Sequence, residues 1–302
     1  MNAPGEFALE RACELSFTGD AALAPMYKLS PYVWTEAGSY GMLLRVVNVD
    51  RDPAKKVARV HSGVSPDGVH FVLDAAPVIA PSADPAGADS GGCEDPTVAR
   101  VGDTYYVYYT GWNERRKEGT LLLAAGTGLR DLAKRGVALA STAEVRNPKE
   151  ATIVRTEDGR WLLFFEFGRE DRSWIGVAES DDVAGPWRVL PVPFEPRDGA
   201  WDGWHMSPGP VVEAEAGPVM FYNGAIEGAA WRVGWVRFDP NYRRVIARCE
   251  SPLIAPGDRR TPDDTDIAFA ASALVENEGI SLYYSIADRY CMRATVRATS
   301  TR

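Results

Sequence analysis

The sequence predicts an all-β protein folded as a five-bladed β-propeller, with an N-terminal strand completing the last blade. Three observations predict it. A unit of two alternating strands separated by a polar gap recurs five times, with anchors at Leu43, Tyr106, Leu163, Phe221 and Tyr283 spaced 63, 57, 58 and 62 residues apart. Val, Ile, Tyr, Phe and Trp crowd these units, and no amphipathic helical stretch of useful length interrupts them. After Asp266 the remaining chain suffices for about three strands, one short of a four-stranded blade.

The elements follow in order. The first strands of the units are YGMLLRVV, DTYYVYYTGW, GRWLLFFEFG, GPVMFYNGAI and ISLYYSIAD. The second strands are KVARVHSGVS, GTLLLAAGT, SWIGVAESDD, AWRVGWVRFD and YCMRATVRA. Turn residues follow several of them, at SPDG 65–68, SDD 180–182 and DPN 239–241, as hairpins require. Units of this length, closing radially, describe blades around a central channel. The segment from Leu9 to Phe17 is expected to supply the missing outer strand and so protect the edges of the ring. Two packed β-sandwiches suit the composition, but they do not account for five evenly spaced copies. One domain over residues 1–302 is expected.

Composition narrows the function. With 45% hydrophobic and 10% aromatic residues, the chain can bury a large core and folds without staples. Lysine and arginine number 33 against 42 acidic residues, for a net charge of −9, which argues against a nucleic-acid or anionic-membrane surface. The opening MNAPGEFALERACELSF shows no basic region followed by an apolar one, and no apolar run approaches the roughly 18 residues of a membrane span; a cytoplasmic location is expected. Cys13, Cys93, Cys249 and Cys291 form no C-x-x-C pair, so reduced, packed thiols are expected, Cys93 included. His61 and His70 flank the SPDG turn and are expected at the surface. Self-association is left open.

In a propeller the innermost strand of each blade runs beside the axis, so the segments preceding each repeat are where chemistry is expected. These are KLSPYVW 28–34, CEDPTVAR 93–100, NPKEATIV 147–154, HMSPGPVV 205–212 and TDIAFAAS 265–272. Three of them bring carboxyls, Asp95, Glu150 and Asp266. Glycoside cleavage needs an acid for the departing oxygen together with a base or a nucleophile, and convergent carboxylates raise one another's proton affinity. The plainer alternative is that these acids bind backbone amides. Trp34, Trp112, Trp201 and Trp204 lie near these segments, where they either stack on pyranose rings or pack between blades. His205, close to Asp202 in WDGWHMSPGP, is a candidate substrate contact or a structural hydrogen-bonding group.

The stretch CEDPTVARVGDTYYVYYTGWN resembles the hallmark of glycoside hydrolase family 130, a Glu-Asp-Pro tripeptide before a Tyr-rich strand. The similarity extends through Arg45 in the first unit, NPKEATIV, SWIGVAESDD, SPGPVV, FYNGAIEG, the VIAR turn at 245–248 and TDIAF, so it covers nearly the whole chain. The resemblance implies a five-bladed propeller acting on β-linked mannosides, by phosphorolysis or hydrolysis, with inversion. It makes Asp95 the general acid, in the phosphorylases relaying its proton through a mannose hydroxyl. It places Arg45, Lys149 and Asp266 at sugar or phosphate contacts, with Glu94 of the tripeptide beside them. An oligosaccharide is the implied partner and no cofactor or metal is implied, inorganic phosphate being the co-substrate of a phosphorylase.

Holding a phosphate dianion takes several convergent cationic donors. Where the family's phosphorylases carry His-Arg after the third-blade strand, this chain has Glu166 and Phe167, and where they carry Tyr-His-Gly it has Tyr222, Asn223 and Gly224. Tyr222 and Asn223 stay candidate sugar contacts. A carboxylate repels phosphate but can activate water, so the expectation is hydrolysis by an inverting β-mannosidase, with Asp95 as acid and Glu166 as base, Glu150 and Glu227 competing for that role. Arg169 keeps the phosphorylase alternative open, since a local alignment shifted by one turn would bring it to the anion site. A furanosidase-type reading would make Glu150 the acid, but KLSPYVW offers Lys28 and Ser30 where those enzymes place an aspartate. A non-catalytic sugar-binding propeller is a further alternative.

Overall fold

Strands form where the alternating repeat places them. The computed structural model describes residues 7–52 and 55–299; the first six residues of the opening segment lie outside the described residues. The first unit is an antiparallel sheet of Tyr27–Glu36, Ser39–Val47, Ala58–Ser65 and His70–Leu73, with Ser16–Gly19 added in parallel at its outer edge. The second comprises Gly92–Val101, Thr104–Asn113, Glu118–Gly126 and Ala133–Leu139. The third comprises Arg146–Arg155, Trp161–Arg169, Arg172–Ser180 and Arg188–Val189. The last joins Ala268–Glu276, Gly279–Ile286 and Tyr290–Ala298 to Phe7–Glu14. No helix among the described residues is long and apolar enough to cross a membrane.

The fourth unit departs from a continuous four-stranded sheet. It divides into His205–Ser207 with Asn223–Ile226 and Ala230–Val233, and Val211–Val212 with Val219–Met220, Val236–Phe238 and Val245–Arg248. The cause is the sequence Pro208-Gly209-Pro210 in its inner strand. Proline has no N–H to give the ladder, and Gly209 passes so close to the next strand that a Cβ there would lie 1.9 Å from the Phe221 carbonyl oxygen.

Short polar side chains tie successive inner strands together. Tyr32 Oη donates to the Val98 carbonyl at 2.9 Å, Thr97 Oγ1 to Ala151 at 2.6 Å and Thr152 Oγ1 to Gly209 at 2.9 Å. Asn223 brackets Ala270, accepting from its N–H at 2.7 Å and donating to its carbonyl at 3.2 Å, and Ser272 Oγ accepts from Val33 N–H at 2.9 Å. These contacts run from the first unit through each of the others and back to the first.

The N-terminal segment is divided more finely than Leu9 to Phe17 implies. Phe7–Glu14 pairs antiparallel with Tyr290–Ala298. The chain then crosses at buried Leu15, whose N–H donates to the Cys291 carbonyl, and Ser16–Gly19 pairs with His70–Leu73 of the first unit. One segment therefore bonds to both the last and the first sheet. His61 corrects an expectation: it is 3% exposed, its Nδ1 against the Asp74 carbonyl, because both faces of Ala58–Ser65 are covered at residues 60–63. His70 is exposed and pairs with Asp67.

Phe7 anchors the terminal strand, edge-on to both Phe221 and Trp235 with centroids 5.4 Å away. Its removal leaves a cavity between the terminal strand and the fourth unit. Phe7→Ala is expected to cost about 3 kcal/mol and lower Tm by about 6–10 °C, read by thermal unfolding monitored by circular dichroism.

Candidate active site

Three inner strands break register at the same point, between Leu29 and Tyr32, Glu94 and Thr97, and Lys149 and Thr152. At the breaks stand Ser30, Asp95 and Glu150, with φ of 49°, 47° and 51°. An extra residue in a strand must leave the ladder and re-aim its side chain. Pro31 and Pro96, which follow two of the three, could not bond the ladder in any case. The result is that Ser30, Asp95 and Glu150 project into one cavity of about 170 Å³, also lined by Arg45, Lys149, Glu166, Trp231, Phe269, Ser285 and Asp288. It continues into a narrower cleft lined by Pro208, Gly209, Ala270 and Ala271.

Asp95 is 7% exposed and accepts from Ser30 Oγ. Arg45 Nη1 lies 3.3 Å from both its carboxylate oxygens, while Arg45 Nη2 donates to Glu94 at 2.7 Å. Burial pushes the Asp95 carboxyl up, but the Arg45 charge and hydrogen bonds from Glu150 and Ser30 outweigh it and hold the group below the ordinary range. Glu150 moves the other way. Burial raises its carboxyl first, then the negative charge of Asp95 and the hydrogen bond it gives that residue, to well above the usual carboxylate range. The two carboxyls titrate as a pair, Glu150 shifted up and Asp95 down.

The second cation is Lys149, 3.2 Å from Glu166, which is buried. The Glu166 charge raises the lysine above its ordinary range against the effect of burial. Asp288 is raised chiefly by burial, with Arg45 opposing. The cavity thus collects five carboxyls, counting Glu94, around two cations. Among the described residues no group of three or more His, Cys, Asp or Glu side chains is placed to hold a metal ion.

The other candidates lie elsewhere. Tyr222 and Asn223 are wholly buried: Tyr222 donates to Asp202 in the core, and the Asn223 carboxamide is consumed by the backbone of Pro208 and Ala270. Neither side chain reaches the cavity. Asp266 turns outward to Arg232 at 2.9 Å, while its carbonyl accepts from Trp231 N–H. Arg169 stacks on Trp174 at 4.9 Å and lines a separate groove with Phe165 and Phe167. Glu227 is exposed in a turn. His205 is held neutral by burial, and its Nδ1 accepts from Ser173 N–H at 2.7 Å. Cys93 is fully buried on the opposite face from Glu94, its thiol pushed up by burial.

Of the tryptophans, Trp34 packs over Gly41, Trp112 bonds Glu114, Trp201 stacks on Tyr222 and Trp204 rests on His205. The cavity's tryptophan is Trp231, which sequence reasoning passed over together with Asp288. Both lie in turn-proximal positions of outer-reading strands, AWRVGWVRFD and ISLYYSIAD, where period-2 alternation carries no sign of which face meets the axis.

Comparison with known proteins places this geometry. The model of family Glyco_hydro_130, described as β-1,4-mannooligosaccharide phosphorylase, matches residues 33–299. A 1,2-β-oligomannan phosphorylase of Thermoanaerobacter sp. (strain X514) is 26% identical over 239 residues, covering 78% of this chain and 77% of that protein. A β-1,2-mannobiose phosphorylase of Listeria innocua serovar 6a is 26% identical over 244 residues, covering 74% of this chain and 62% of that protein. A solved structure from work describing the mannoside phosphorylase family as containing glycoside hydrolases that target β-1,2 mannosidic linkages in Candida mannan superposes with a TM-score of 0.79. It is 22% identical, covers 99% of this chain and 97% of that one, and establishes the shared fold.

These findings overturn the expectation of hydrolysis, since the curated relatives are phosphorylases. The residue chosen as water-activating base, Glu166, is moreover bound to Lys149, so its presence is not by itself the mark of a hydrolase.

A buried charge lies close in sequence to His205. Asp202, with no exposed surface, takes Arg197 through both carboxylate oxygens, at 3.0 and 2.9 Å, and also Arg248 and Tyr222. Asp202→Asn leaves two guanidinium groups without their counter-charge. A loss of about 3–5 kcal/mol is expected, measured by denaturant unfolding.

Proposed function

The chain belongs to glycoside hydrolase family 130, and from that premise we propose that it is an inverting phosphorylase of β-linked manno-oligosaccharides, built as a single five-bladed β-propeller domain around the cavity. The observation that carries the reading is that the Asp95–Glu150 pair shares one cavity with the two cations Arg45 and Lys149, the Glu150 carboxyl being raised and that of Asp95 lowered. The ring of inter-strand hydrogen bonds from Tyr32 to Ser272 supports the five-bladed arrangement.

Phosphorolysis asks for an acid at the departing glycosidic oxygen and for cationic support of phosphate on the other face of the anomeric carbon. A phosphate oxygen bonds to that carbon, the bond to the departing sugar breaks, and the proton of the pair passes through Asp95 to the departing oxygen. Inversion of a β-mannoside gives α-mannose 1-phosphate. Lys149, whose ion pair is with Glu166 and which also feels the charges of Asp95 and Glu150, faces the phosphate, and its bond to Glu166 fixes it in place before the substrate arrives. Arg45 sets the acid. Keeping Glu150 neutral lowers the negative charge that an entering phosphate meets.

Supplied with β-1,2- or β-1,4-mannobiose, the protein is expected to release mannose 1-phosphate only when inorganic phosphate is present; phosphate-independent release of two mannose molecules would overturn the proposal. Asp95→Asn should lower kcat by about 10³-fold with the fold retained, since Arg45 keeps its bond to Glu94, as checked by circular dichroism. The raised carboxyl of Glu150 keeps the shared proton below its pKa and loses it as pH rises through that value, so kcat/KM should fall on the alkaline side. Glu150→Gln leaves only Asp95, whose carboxyl is lowered, and its alkaline limb should move to lower pH.

A further inference from the structure

We propose that Trp231, backed by His205 and Phe269, is the platform on which the departing sugar stacks. The proposal rests on the mannoside reading above and adds the residue that selects the leaving group.

Trp231 lines the open cavity with the acid pair but not the narrower cleft, whereas Ser30, Asp95, Glu150 and Phe269 line both. The acids therefore stand where cavity and cleft meet, and Trp231 on the side away from the cleft. A donor sugar whose anomeric carbon lies between the acid pair and Lys149 fills that junction. The sugar that leaves then lies in the wider space, against the wall that Trp231 and Phe269 make aromatic.

Trp231 is also fixed as a platform must be. The His205 ring lies parallel to it, 5.9 Å away at 10°, and Trp204 packs on His205 in turn. Phe269 meets it edge-on at 5.3 Å. Its N–H donates to the Asp266 carbonyl at 3.0 Å, and the next residue, Arg232, is tied to the Asp266 carboxylate. Yet its side is only half-buried, so one ring face stays available to a ligand. The apolar C–H face of a pyranose suits it, since an aromatic ring held rigid gives contact area with little loss of freedom. Charged walls elsewhere in the cavity offer no such surface.

The test runs in two arms. In synthesis from mannose 1-phosphate and mannose, Trp231→Ala is expected to raise KM for the acceptor about ten-fold and to leave KM for mannose 1-phosphate within about two-fold, with Trp231→Phe recovering most of the loss. Equal rises in both constants, or no change in either, would overturn the proposal. In the second arm β-mannobiose is titrated into Asp95→Asn by calorimetry, and adding Trp231→Ala should weaken binding about ten-fold; unchanged affinity, or no binding to Asp95→Asn at all, would also overturn it. If the wild-type protein makes no mannose 1-phosphate, the phosphorylase reading fails while the titration still decides the platform.

Discussion

The structure depends on residues that leave their own strands. Ser30, Asp95 and Glu150 adopt left-handed backbone conformations that cost on the order of 1–3 kcal/mol each for a side chain other than glycine. They persist because the residues beside them are pinned: Tyr32, Thr97 and Thr152, each just past a break, bond the backbone of the next unit. The same contacts that hold neighbouring sheets together thus force the bulged side chains toward the space the sheets enclose. Fold and site are one constraint seen at two depths.

From that placement the electrostatics follow. Two hydrogen-bonded carboxyls withdrawn from solvent cannot both stay charged at little cost. Arg45 and Ser30 are on the side of Asp95, so the Asp95 carboxyl is held down and that of Glu150 is pushed up. Lys149 is left to Glu166. Equivalent side-chain chemistry is divided into distinct roles by which strand each neighbour comes from.

Buried charges away from the cavity serve its walls. Asp202 gathers Arg197, Arg248 and Tyr222 beneath the loop that carries Trp204 and His205. Asp89, also buried, binds Lys134, Tyr109 and the Ser82 N–H ahead of the strand that carries Asp95. In both cases a charge out of water is tolerated because each oxygen has partners, and the loop above inherits a fixed course.

What the sequence determined by itself is the alternation of strands, their fivefold recurrence, the outer strand supplied by the N-terminal segment, and the convergence of Asp95 and Glu150. These are legible because strand period is a local property, set by side chains a few residues apart, and the segments that precede the repeats carry the two acids. It also marked Arg45 and Lys149 through the resemblance of their segments. Only the tertiary structure decided which of the two carboxyls is raised, that Asp266 braces Trp231 rather than facing the cavity, that Tyr222 and Asn223 are spent in the core, and that Trp231 and Asp288 complete the wall. Those outcomes depend on bulges and on contacts between units some 60 residues apart, and a one-residue shift in register, which no local pattern reports, exchanges the face a side chain presents.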